Sequence, residues 1–73
     1  MQPVERHVFE DHLLSCSALP TNDGRFQSRV AITALGGQRT RAQRFLDLDV
    51  FDSAEEALAH AKQAGMDWVR LHG

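Results

Sequence analysis

Polar and apolar residues alternate with a period of two over much of the first fifty positions, then recur at helical spacing. Leu14, Cys16 and Ala18 alternate with Ser15 and Ser17, the pattern of a half-buried strand over about 8–19. Pro20-Thr21-Asn22-Asp23-Gly24 follows as a turn. Proline presets φ, Asn and Asp bond their own backbone, and glycine accepts positive φ. The second strand, about 25–35, is the clearest. Phe26, Ser28, Val30, Ile32 and Ala34 face one way, and Gln27, Arg29, Ala31 and Thr33 face the other. Gly36-Gly37-Gln38 suits a tight hairpin.

The third strand, about 39–50, has a phase problem. Ala42, Leu46, Leu48 and Val50 share one parity with Arg44, while Phe45 falls on the other, so a β-bulge or register change is expected near Arg44-Phe45. Ser53-Ala54-Glu55-Glu56 then reads as a capping box opening a helix over about 54–64. Ala54, Ala57, Leu58, Ala61 and Ala64 form its apolar stripe, and Gly65 is expected just past its end. The last residues, with Trp68, are expected to return as a short extended tail. This order gives an α+β fold: a three-stranded antiparallel sheet with one helix across one face and the other face open.

The chain has 73 residues, enough for one small domain spanning 1–73. Its single cysteine, Cys16, fits a reducing compartment, and the first residues are too polar for a signal peptide. No apolar run is long enough for a membrane span, so a cytoplasmic protein is expected.

Charge changes the picture most. The net charge is −2, yet Arg25, Arg29, Arg39, Arg41 and Arg44 lie in one stretch that contains no Asp or Glu. Strands displaying these arginines on one surface would attract phosphate or an acidic partner. Against that stand three plainer roles: a solvated face, pairing with acids such as Glu55 or Asp47, and protection of a sheet edge.

Other chemistry is weaker. His7, His12, His60 and His72 match no metal-ligand spacing. The parity of Cys16 places it in the core, where a thiol acts as a small hydrophobe. Asp47/Asp49 and Glu55/Glu56 are read as solvated or helix-capping carboxylates. The glycine turns lack the strand–loop–helix context of a phosphate loop. No catalytic, cofactor-binding or metal residue is assigned.

Asp23-Gly24-Arg25-Phe26, the strand ending in Ile32, the Gly36-Gly37 turn, the helix start from Phe51 to Leu58, and Gly65 ahead of Trp68-Val69 together resemble a group of small bacterial β-β-β-α proteins. These are common in proteobacteria and carry a domain without an assigned function. More loosely, the order of elements and the arginine-rich central strands are similar to phage integrase arm-binding domains and plant AP2 domains, a resemblance that implies DNA binding through the sheet. The sequence therefore leads to a non-enzymatic binding or adaptor module. The alternative is nucleic-acid binding through the arginine face. Leu13, Leu19, Ala31 and Leu35 on outer parities leave a homodimer open.

Overall fold

Val4–Phe9 (β1) and His12–Pro20 (β2) pair antiparallel in a computed structural model that describes residues 4–35, 42–46 and 48–72. Phe9 pairs with His12, so the two strands are joined by Glu10-Asp11 alone. Both turn residues have positive φ, 46° and 64°, as a type I′ hairpin turn requires. The strand expected over 8–19 is thus two strands, with the reversal inside the expected span. Asn-Gly usually marks such a turn, and Glu-Asp hid it. The His12 Nδ1–H donates to the Glu10 carbonyl at 2.8 Å, and the Leu35 N–H donates to the Asp11 carbonyl at 2.8 Å. These bonds help to fix a backbone geometry that neither residue favours alone.

Phe26–Ala34 (β3) pairs with β2 along nine register positions, from Pro20↔Phe26 to His12↔Ala34. The connection forms where the turn chemistry expected it. Gly24 takes φ 83°, its N–H donates to the Thr21 carbonyl at 3.2 Å, and the Thr21 N–H donates to the Arg25 carbonyl at 2.8 Å.

The third expected strand is broken. Ala42–Phe45 (β4) and Val50–Phe51 (β5) both pair with β3, and the sheet runs β1-β2-β3-β4 with β5 also on β3. Phe45 opposes Val30 and Val50 opposes Gln27, so five steps along this edge face three along β3. The two additional residues make an irregular segment after β4, held by backbone bonds from Leu48 N–H to the Ser28 carbonyl at 3.3 Å and from Ser28 N–H to the Asp49 carbonyl at 2.9 Å. The Gln27 amide also donates to the Leu48 carbonyl. This is the register change expected from the parity conflict, placed just beyond Phe45. It lets Phe45 and Phe51 both oppose inward-facing residues of β3. The Gly36-Gly37-Gln38 turn lies outside the described residues.

Ala54–His72 (α1) is one helix of 19 residues. Ser53 caps it: the Glu56 N–H donates to Ser53 Oγ at 3.1 Å, and the Ser53 hydroxyl donates to Glu56 Oε1 at 3.1 Å. The expected end at Ala64 and the expected extended tail are corrected, since the helix continues two further turns. Gly65 is buried within it. A Cβ there would meet Leu14 Cδ2 at 3.1 Å, Leu14 Cδ1 at 3.3 Å and Val30 Cγ2 at 3.3 Å. Glycine sits here for close approach of helix to sheet, not for a left-handed cap.

The core is a single layer between sheet and helix. Leu14, Cys16, Ala18, Val30 and Ile32 pack against Ala57, Leu58, Ala61 and Val69. Small alanines on the helix let it lie close to the strands. The one buried polar side chain among the described residues, Ser28, donates from Oγ to the Ala57 carbonyl at 2.6 Å. At the far end, Arg70 lies over the Phe9 ring, 5.5 Å from its centroid, and Trp68 stacks near His72. Among the described residues, no helix is long and apolar enough to cross a membrane.

Candidate functional site

Because side chains alternate across a strand, the register fixes what the helix-free face displays. Inward positions of β2 and β3 are the even ones, Leu14 to Ala18 and Ser28 to Ile32, and all of these are buried. Their odd neighbours form the open face. One rung reads Arg6, Ser15, Ala31, Arg44 across β1 to β4. The next reads Val4, Ser17, Arg29. Toward β5 the face continues with Gln27 and Val50. Among the described residues, the register puts no Asp or Glu on this face.

Arg29 and Arg44 stand on adjacent strands in the diagonal relation, where such pairs lie roughly 7–8 Å apart. Both line an open concavity of about 380 Å³ with Val4, Ser15, Ser17, Ala31 and Leu46. Its shape has a simple origin: Ser15, Ser17 and Ala31 are small, and the residues around them are long or branched. No carboxylate of the described residues lies within ion-pair distance of Arg29 or Arg44, whereas other arginines do find partners.

Arg25 is one of those. It sits outside the strands, with Nε 3.3 Å from Asp23 and 4.0 Å from Asp52. Its charge is spent locally at the acidic end of the molecule. Of the other arginines in that acid-free stretch, Arg29 and Arg44 share the open face, and Arg39 and Arg41 lie outside the described residues. Arg6 joins the face without having been singled out. The signal for it was the parity of β1, which could be read only once the Glu10-Asp11 reversal was known.

The remaining chemistry is dispersed. His7 lies 3.2 Å from Glu5, His12 is edge-on to Trp68, and His60 packs by Phe51. Among the described residues, no three His, Cys, Asp or Glu converge on a point. Burial pushes the Cys16 thiol up to about 11, with the negative charge of Glu5 adding to it and Lys62 opposing. The sulfur is therefore a protonated, fully buried core atom. The Asp23 carboxyl is held below its usual range, first by the Thr21 hydroxyl and then by Arg25, which fits its place in the β2–β3 turn. Asp49, Glu55 and Glu56 are exposed, and Asp47 lies outside the described residues.

Comparison of the chain with protein-family models, with curated proteins and with solved structures gives no match. The chemistry of the open face therefore has to be read from its own residues.

Proposed function

We propose that the protein is a non-catalytic binding module that holds an anionic partner on the open face of its sheet. The observation that carries this reading is the rung pattern: Arg6, Arg29 and Arg44 on one surface, with no carboxylate among its described positions. In a chain of net charge −2 such segregation requires the acids to be elsewhere. Asp23, Asp52, Glu55 and Glu56 gather around the β2–β3 turn and the helix start. Arginine is the cation best suited to carboxylate and phosphate, because its donors form a planar fork.

The same surface argues for binding over catalysis. Ser15 and Ser17 line the concavity, yet among the described residues no histidine, carboxylate or lysine lines it to serve as a general base. Two copies pressed face to face would oppose like charges, which disfavours a homodimer through this face. A cytoplasmic setting accords with a single cysteine kept as a core thiol.

A nucleic-acid partner is the second reading. It is favoured by the spread of the charges: Arg6 and Arg44 are three strand spacings apart, about 14 Å between Cα atoms. Retention on a heparin matrix in a salt gradient tests the proposed function. The protein should bind at low salt, and Arg6→Gln/Arg29→Gln/Arg44→Gln should elute far earlier. Flow-through of the native chain, or equal retention of the variant, would overturn it.

A further inference from the structure

Resting on that reading, we infer that the concavity between Arg29 and Arg44 is a subsite for a single phosphomonoester, carried on a phosphorylated serine or threonine of a protein partner. Within that wider spread, Arg29 and Arg44 concentrate charge at one point, while Arg6 stands apart on β1. Arg29 and Arg44 both line one depression, together with Ser15 and Ser17 of the neighbouring strand. A dianionic phosphate has oxygens enough to accept from both forks and from a hydroxyl at once. A carboxylate has only two.

The rims decide what carries the phosphate. Val4 and Leu46 border the concavity and are about half exposed, at 52% and 47%. They offer apolar contact to the residues on either side of a phosphorylated side chain. A base would need an aromatic plane to stack on, and Phe9, Phe26, Phe45, Phe51 and Trp68 are all packed against the core instead. A long polyanion lying along the strands would leave the arginines and run onto the acidic end, at Asp23, Asp49 and Asp52. Screening confines the attraction of the arginines to about 10 Å. The surface thus suits one doubly charged group better than a polymer.

The test titrates the full chain with a blocked Ala-Val-phosphoserine-Val-Ala peptide, followed by amide chemical shifts, with the unphosphorylated peptide and a duplex oligonucleotide as parallel probes. The phosphopeptide should shift residues 15–17, 29–31 and 44–46, and the unphosphorylated peptide should not. Arg44→Gln should weaken binding about tenfold or more, the size of one charge-assisted contact. Arg29→Lys/Arg44→Lys keeps the charge and loses the forks. It should weaken the phosphopeptide several-fold while leaving heparin retention near that of the native chain. Equal binding of the two peptides, or tighter binding of the duplex, would overturn the inference. If the phosphopeptide fails while heparin retention still depends on the arginines, the anionic face stands and the phosphomonoester subsite falls.

Discussion

Arg6 and Arg44 occupy the two ends of a single rung of the sheet, with only Ser15 and Ala31 between them. They are 38 positions apart in the chain, and three successive strand pairings bring them to one face. Arg29 stands on the next rung, in the gap. This relationship gives the molecule a sided charge that its composition conceals.

The sheet needs a reversal at Glu10-Asp11 to bring Arg6 onto that face. Two non-glycine residues there hold φ of 46° and 64°, a conformation that costs roughly 1–2 kcal/mol per L-residue. Replacing the pair with Asn-Gly should raise stability by about 1 kcal/mol, after allowing for the greater freedom of glycine in the unfolded chain. A higher urea midpoint at an unchanged slope would verify this.

Gly65 tests the contact between helix and sheet. Alanine would gain about 1 kcal/mol in helix propensity. It would also place a methyl 3.1–3.3 Å from Leu14 and Val30, both buried. Overpacking of this kind costs roughly 1–3 kcal/mol. Gly65→Ala is therefore expected to lose about 1 kcal/mol net. Adding Val30→Ala should cost less in that background than in the native one, because the two sites share a contact. Chemical denaturation of the four proteins measures the coupling.

How much of this could be read beforehand follows from the range of each signal. The capping box at Ser53, the Thr21–Gly24 turn and the alternation in β3 are local, and each forms as its residues indicate. The conflict at Phe45 was local too, and it marks a true shift in register. Gly65 misled because a glycine that ends a helix and a glycine that lets a helix touch a sheet look alike in sequence. Only the facing Leu14 distinguishes them. The Glu10-Asp11 turn was missed because a tertiary bond from Leu35 and a side-chain bond from His12 support it in place of turn propensity. In the site, Arg29 and Arg44 were legible from their residue types, and Arg6, Ser15 and Ser17 needed the register. Arg25, expected at the end of the face, lies beside Asp23 and Asp52.

Ser28 links the bulged edge to the helix. Its hydroxyl donates to the Ala57 carbonyl, and its backbone bonds Leu48 and Asp49. Ser28→Ala should cost about 1 kcal/mol, the ordinary net value of such a bond. Ala57 lies on the buried face of the helix, so water cannot replace the donor. A drop in the thermal midpoint with an unchanged far-ultraviolet spectrum is the expected result.

Cys16 should govern the alkaline limit. Its thiol is raised from 9.0 to about 11 by burial first, and by Glu5 second. The folded state thus holds a proton that the unfolded chain releases. This stability is fully present below about pH 9 and is lost as pH rises toward 11, by about 1.4 kcal/mol for each unit between. The chain has no tyrosine, and Lys62 is its one lysine, so few other groups compete in this range. Cys16→Ala should lower stability at pH 7 and flatten its fall between pH 9 and 10.5, as measured by denaturation across that range.

The proposed binding surface for an anionic partner is the helix-free face of the sheet, through Arg6, Arg29 and Arg44. Its most direct measurement is an amide chemical-shift map of the full chain titrated with inorganic phosphate, at low and moderate salt. Salt-sensitive shifts should cluster on the central strands around Ser15, Ser17, Arg29 and Arg44, and be lost in Arg29→Gln/Arg44→Gln. Shifts confined to the helix, or a map unchanged by removing those two arginines, would contradict it.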